Sequence, residues 1–170
     1  MTVAPARAGL EVRDARPEDA EAACDVLRRS IVALCGEDHR GDPDRLAAWL
    51  ANKTPGNVLA WMRQAGHSLL VAAEEGRVLA VGGVTDAGQV TLNYVAPEAR
   101  FQGVSRAMLR ALEDRARERG AARLSLTSTA TARRFYVAAG YREDVAAAPS
   151  APVDSGVAMS KPIPGGPPED

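Results

Sequence analysis

Residues 90–141 constrain this chain more than any other stretch. They read VTLNYVAPEARFQGVSRAMLRALEDRARERGAARLSLTSTATARRFYVAAGY. Val90, Leu92 and Tyr94 alternate with Thr91, Asn93 and Val95, which predicts a strand. Pro97 has no N–H and helps to end strand pairing. The compact turn Arg100-Phe101-Gln102-Gly103-Val104-Ser105 then opens a long amphipathic helix over 103–119. Val104, Ala107, Met108, Ala111 and Leu112 fall at helical spacing, and Gly120 supplies the stop. Leu124-Ser125-Leu126-Thr127 predicts a second strand, followed by a helix that carries Phe135-Tyr136 and ends at Gly140. A helix between two strands is a crossover, so residues 123–127 are expected to run parallel to residues 90–95. Arg110 with Asp114, and Glu113 with Arg117, are spaced for surface ion pairs.

A turn of small residues at a helix start is built to hold an anion. The first amides of a helix have no internal partner, and the helix dipole is positive there. Gly103 has no Cβ, so a ligand can approach the backbone closely.

These residues carry a family resemblance. The chain resembles the GCN5-related N-acetyltransferases, the GNAT family. Arg100, Gly103 and Ser105 match that family's pattern of Arg or Gln, two residues, Gly, one residue, Gly or Ala, with Ser105 in the last place. Val95-Ala96-Pro97 resembles its strand end, and Phe135, Tyr136, Gly140 and Tyr141 resemble its later Phe-Tyr…Gly-Phe signature. Thr129 stands where many members carry Asn. The resemblance implies an α/β fold, a mixed and mostly antiparallel sheet with helices on both faces. It implies that acetyl-CoA is the cosubstrate. The turn amides from Phe101 and Gln102 through Gly103, Val104, Ser105 and Arg106 would cradle its pyrophosphate, with Arg100 and Thr129 as further contacts. The backbone of Tyr94, Val95 and Ala96 would pair with the pantetheine arm. Tyr136 would be the general acid that protonates the departing thiolate. The implied reaction is direct acetyl transfer to an amine on a small molecule or peptide. A different acyl-CoA, a non-catalytic CoA-binding or regulatory domain, and a purely structural domain are the alternatives. A homodimer is an open assembly state.

The general base is not legible. Glu74, Glu75, Asp86 and Asn93 lie on or near the central strands, and His39 sits beside Asp38 as a solvated loop histidine. Cys35, near both, invites a nucleophile reading, but direct transfer needs no acyl-enzyme. Cys24 is expected in the core. Two cysteines and two histidines without ligand spacing argue against a metal.

The rest of the chain fits the same fold. Leu10-Glu11-Val12-Arg13 alternates as a strand. Pro17 suits a helix start, and Ala22, Ala23, Val26, Leu27 and Ile31 follow at helical spacing. Asp42-Pro43 and Thr54-Pro55 predict two further helix starts, carrying Trp49 and Trp61, which could wall an acceptor site. Asn52 and Lys53 read as a polar helix end. Residues 69–73, 78–84 and 90–95, joined by Glu75-Gly76 and Asp86-Ala87-Gly88, predict an antiparallel meander. Residues 1–9 are expected loose, 10–161 one domain, 146–153 a loop, 157–161 a last strand, and 162–170 a frayed Pro/Gly-rich tail. A formal net charge of -1 gives no pull toward a nucleic-acid backbone. No stretch reaches membrane-spanning length, and the N-terminus has no signal-peptide core, so a cytoplasmic protein is expected.

Overall fold

A computed structural model describes residues 7–144 and 156–164. Strand β1 (Leu10–Asp14) leads through a 3-10 turn, Pro17–Asp19, into helix α1 (Ala20–Leu34). Proline at the first helical position and two acids behind it favour this start. The Asp19 carboxylate accepts from the Arg16 N–H at 2.7 Å and takes two bonds from the Arg13 guanidinium, at 2.7 and 3.0 Å. Ala23, Val26, Leu27 and Ile31 then face inward at helical spacing, each at most 1 % exposed.

Three short helices follow: α2 (Gly36–His39), α3 (Pro43–Leu50) and α4 (Pro55–Arg63). Asp42 caps α3 by accepting from the amides of Asp44 and Arg45, and Thr54 caps α4 by accepting from Asn57. Both predicted Asx/Thr-Pro starts therefore form.

Strands β2 (His67–Glu74), β3 (Arg77–Thr85) and β4 (Val90–Val95) complete an antiparallel sheet in the order β1-β2-β3-β4. Glu75 and Gly76 both adopt positive φ, 50° and 77°, which lets a two-residue turn match the strand twist. Helix α5 (Val104–Glu118) packs on one face of this sheet. A Cβ on Gly82 would lie 2.5 Å from the Met108 sulfur, so the helix rests against bare backbone there. Helices α1 and α4 cover the other face. Leu27, Ile31, Val58, Val81, Met108 and Leu112 are completely buried between the layers.

The second sheet departs from the expected simple extension. Strand β5 (Arg123–Ser128) pairs antiparallel with β7 (Val157–Pro162), which in turn pairs with a two-residue β6 (Arg142–Glu143). Toward β4, β5 runs parallel as predicted, but it joins only at one bridge, between Gln89 and Ser125. Helix α6 (Arg133–Ala138) connects β5 to β6. Phe135, Tyr136 and Tyr141 form an edge-to-face chain with centroids 5.2 and 5.5 Å apart.

Several local expectations change. Glu113 pairs with Lys161 and accepts from the Tyr141 hydroxyl, both at 3.2 Å, instead of pairing with Arg117. Arg117 turns to Asp114 at 2.6 Å, which also displaces the Arg110–Asp114 pairing. Packing of β7 beside α5 brings a cation that the helix spacing alone could not reveal. Arg7 is held by Glu74 at 2.7 Å, so the N-terminal segment is anchored before residue 10, whereas residues 1–6 lie outside the described region. Pro162 belongs to β7, and Ile163 is buried with its N–H on the Ala122 carbonyl at 2.8 Å. The expected loop over 146–153 and residues 165–170 of the tail also lie outside the described residues. Among the described residues no helix is long and apolar enough to cross a membrane.

The Arg13–Asp19 bridge has a pH signature. Hydrogen bonding by Arg13 holds the Asp19 carboxyl below its ordinary range, against the opposing effect of burial. A depressed folded pKa contributes stability that is present above the unfolded pKa and lost as pH falls through the folded one. Asp19→Asn is expected to cost about 1.5–3 kcal/mol at pH 7. That penalty should vanish in acid, below the ordinary carboxylate range. Urea unfolding of both proteins across pH 2–7 measures the difference; a penalty independent of pH contradicts the ion pair's role.

Candidate active site

The site begins where β4 loses its neighbour. Ala96 donates its N–H to the Leu79 carbonyl at 2.7 Å, and Val95 and Ala80 face each other across the ladder. Antiparallel alternation then turns the backbone groups of Tyr94 toward β3 and those of Asn93 and Val95 toward β5. Beyond the Gln89–Ser125 bridge, no ladder pairs β4 with β5 among the described residues. Asn93 and Val95 thus present an open strand edge. Of the three predicted backbone contacts, only Val95 has its groups facing the gap. Tyr94 turns its groups to β3, because adjacent residues of a strand point in opposite directions, and Ala96 gives its N–H to Leu79 and its carbonyl to the Ala99 N–H.

Past Val95 the chain makes a 3-10 turn over Pro97–Ala99, an element that three residues of pattern do not reveal. It then reaches the loop before α5. Gly103 caps α5 at φ 80° without a side chain, and Ala107 is the first amide to bond back into the helix, onto the Gly103 carbonyl at 3.0 Å. The amides of Val104, Ser105 and Arg106 come before that bond and lack helical partners. No acidic residue stands in this first turn. The space where a Gly103 Cβ would sit is open to 4 Å. An anion therefore fits here, held by backbone donors and the helix dipole. Phe101 adopts φ 63° and is 90 % exposed, with the Arg100 guanidinium 4.5 Å above its ring. Gln102 donates to the Glu98 carbonyl at 2.9 Å and accepts from Arg7, while Arg106 is exposed.

Tyr136 closes the gap from the other side. It rides on α6, after β5, yet its hydroxyl accepts a 3.1 Å bond from the Asn93 side-chain amide on β4. The phenol is 6 % exposed. Burial pushes its pKa up, and the Asn93 donor pulls the other way. The hydroxyl is therefore protonated at neutral pH and able to donate. Thr129 uses its hydroxyl to accept from the Ala132 N–H at 3.2 Å, shaping the entry to α6.

On the opposite face of β4 lies a cleft of about 380 Å³, lined by Asp38, His39, Trp49, Ser128, Thr129 and Gly156 among others. Asp38 accepts from the Ala130 N–H and the Thr131 hydroxyl, both at 2.7 Å, and so ties α2 to the β5–α6 connection. Nothing in the sequence near Asp38 signals a partner 92 residues away. His39 is not the solvated loop residue expected. It is buried, with Nδ1 accepting from the Gly41 N–H at 3.1 Å. Lys53 is buried too, its amine donating to Asn52 at 2.6 Å, and burial lowers its pKa. Neither Asn52 nor Lys53 lines the cleft. Glu74 is bound to Arg7, Glu75 forms its turn, and Asp86 lies 3.8 Å from Arg119. Tyr94 reaches toward Cys35, Asp38 and Trp49. Burial is the main reason its phenol is raised to about 12.

The sequence model of the "Acetyltransferase (GNAT) domain" matches residues 41–151, well over half of the chain. The chain belongs to the GNAT family. Solved structures agree on the fold. A GCN5-related N-acetyltransferase from Rhodopseudomonas palustris is similar with a TM-score of 0.77 and 21% identity, over 95% of this chain and 100% of that one. A PaiA N-acetyltransferase from Thermoplasma acidophilum, solved with coenzyme A, gives a TM-score of 0.74 at 15% identity, over 90% and 98%. The ribosomal-protein-S18-alanine N-acetyltransferase of Escherichia coli gives 0.62 at 21%, over 91% and 94%. No curated protein matches the sequence. Membership makes the chain an acyltransferase of the GNAT class, which draws its acyl group from a CoA thioester.

GNAT chemistry here has no evident use for a thiol. Cys35 is 6 % exposed, and burial pushes its thiol up to about 12. Cys24 donates to the Lys53 carbonyl at 3.2 Å, and burial raises its pKa as well. Both thiols should resist iodoacetamide at pH 8 and react once the protein unfolds. Mass spectrometry of labelling with and without urea checks this. Fast labelling of Cys35 in the folded protein contradicts it.

Proposed function

We propose that this GNAT protein transfers an acetyl group from acetyl-CoA to the amine of a small molecule or peptide, by direct attack. Residues 10–161 serve as the single catalytic domain in this reading. The observation that carries it is the parting of β4 from β5, with an acid phenol across the opening and unpartnered helix amides beyond it. The thioester substrate would lie along the open edge at Asn93 and Val95. Its pantetheine amides would find the backbone partners that a neighbouring strand supplies elsewhere. The pyrophosphate would rest on the amides of Val104, Ser105 and Arg106, with Arg100, Phe101, Gln102 and Gly103 shaping the cradle. The amine would enter from the cleft beside Trp49 and Asp38. Attack forms the C–N bond and expels the thiolate, and Tyr136 would deliver its proton to that sulfur. Asn93 holds the phenol in line for this step.

Tyr136→Phe isolates the acid. It should lower kcat by roughly 100-fold while leaving acetyl-CoA affinity intact, because the oxygen acts only as the thiolate leaves. The Asn93 amide loses its acceptor, at a cost of about 1–3 kcal/mol in stability. Thiol-release kinetics, calorimetry with CoA and thermal unfolding together make the test. An unchanged kcat assigns Tyr136 to packing alone.

Gly103→Val tests the cradle. The helix cap needs φ 80°, so a β-branched side chain is strained by about 1–3 kcal/mol. Its methyls also enter space that the anion would take. CoA binding should weaken by more than tenfold in a protein that still unfolds cooperatively. Retained affinity in that variant places the pyrophosphate elsewhere.

A further inference from the structure

Attack on a thioester needs a neutral amine, and the two titratable acceptors among the described cleft residues are each already engaged in structural hydrogen bonds. Asp38 accepts one bond on each carboxylate oxygen, from Ala130 and Thr131, and so is held as a structural tie. His39 spends Nδ1 on the Gly41 N–H, and its Nε2 lies 3.4 Å from the Val32 carbonyl. The other histidine is placed differently. His67 opens β2, with Nδ1 3.2 Å from the Trp61 carbonyl. A carbonyl only accepts, so Nδ1 carries the proton and Nε2 keeps its lone pair. Nε2 lies 2.7 Å from the Thr91 hydroxyl, which therefore donates to it. The hydroxyl's own lone pairs remain to accept from a water or an amine.

The fold makes room for this pair. A Cβ on Gly83 would lie 2.6 Å from the Thr91 oxygen and 3.0 Å from His67 Nε2. The ladder between β3 and β4 slips between Gly83 and Val84, and this bulge brings Thr91 onto the face shared by Leu92 and Tyr94. On that face Tyr94 interacts with Trp49 and Asp38, which line the cleft, while Thr91 and His67 lie outside its lining. Thr91 is exposed and His67 half-buried, so water reaches both. Three residues of strand separate Thr91 from Tyr94, about 10 Å, a span that a chain of about three waters bridges. Around the ring, α4 presents Trp61, β3 presents Thr85 and β4 presents Thr91. The nearby charged pair is Asp86 with Arg119, beside Gly66.

We propose that His67 is the proton acceptor of the acyl transfer, linked to the amine by Thr91 and water. The proposal rests on the acetyl-transfer reading above. The ammonium gives one proton through water to the Thr91 oxygen, whose own proton passes to Nε2. The neutral nitrogen then bonds to the acyl carbon, and the C–S bond breaks as Tyr136 protonates the sulfur. The second proton leaving the nitrogen restores the Tyr136 phenol, and His67 releases its proton to solvent. Tyr136 and His67 thus work from opposite faces of one strand, the acid on the α5 side and the base on the cleft side.

The experiment uses the full chain with acetyl-CoA and two probe acceptors, water and methylamine, following thiol release against pH. The wild-type rate should fall in acid, where the proton acceptor is already occupied. His67→Gln should lose roughly 100-fold in kcat at neutral pH and lose that acid-side fall, with CoA affinity unchanged. Added imidazole should restore rate to His67→Ala. Thr91→Val should lose rate and Thr91→Ser recover it, which tests the link should the histidine variants fail to fold. A His67→Gln protein that keeps both the rate and the acid-side fall overturns the proposal, as does a Thr91→Val protein with wild-type kinetics. A wild-type protein that neither binds CoA nor releases thiol overturns the acetyl-transfer reading along with it. CoA binding and turnover with an unchanged profile in the variant overturns the histidine alone.

Discussion

The architecture depends on one join, the bridge between Gln89 and Ser125. Among the described residues the two sheets are bridged by backbone pairing there and at no other point along β4, and Gly88 makes the meeting close. Gly88 adopts φ 93°, and a Cβ on it would stand 2.1 Å from the Arg123 carbonyl oxygen. Its own carbonyl accepts from the Ser125 N–H at 2.9 Å. From this pivot β5 swings away to pair with β7, while β4 stays with β3. Paired fully, β4 and β5 would satisfy each other and leave no site. Parted, they leave Asn93 and Val95 with backbone groups that want partners. A ligand with amides spaced like a strand answers that want, which is why the parting supports a pantetheine reading more strongly than any single side chain does.

The two faces of β4 divide the chemistry. Asn93 shares a face with Gly82, toward Met108 and α5, and there it meets Tyr136. Tyr94, and Thr91 through the bulge, share the other face with the cleft. In the proposed reaction the phenol that protonates sulfur and the imidazole that takes the first proton from nitrogen then stand on separate sides of the strand. The cost falls on folding. Phenols pushed up by burial and an α5 start without a side-chain cap are tolerated because the core around Leu27, Met108 and Leu112 is complete.

Much of this was legible in the sequence because it is written in local terms. Alternation gave β4, helical spacing gave α5, and the Asx/Thr-Pro pairs gave the starts of α3 and α4, each a matter of a few residues. The GNAT motif placed Gly103 and Tyr136 on the elements where they are found. Other features depend on distances that local pattern does not encode. Asp38 reaches across the chain to Ala130, and Lys161 crosses to Glu113. The buried state of His39 follows from how α2 folds back on α1, since its ring nitrogen meets Val32. The alternation within Tyr94-Val95-Ala96 was in the sequence. Which parity faces β5 depended on register, and a slip of one residue would have reversed it.

The same contrast bears on where acceptor specificity resides. α2, α3 and α4 are short, each set by its own cap or turn, and none runs beyond nine residues. Short capped helices can change sequence without disturbing the central sheet, so this region can vary its cleft residues while β3, β4 and α5 hold the thioester end fixed. Asp38 limits that freedom. By binding Ala130 and Thr131 it fixes the cleft wall to the connection that carries Tyr136, so the proposed acceptor wall and the proposed acid are positioned together. A change in α2 that loosened this tie would move both at once. In the proposed reaction, selectivity for the amine and efficiency of the proton transfer would then be mechanically coupled through one carboxylate that touches neither reacting atom.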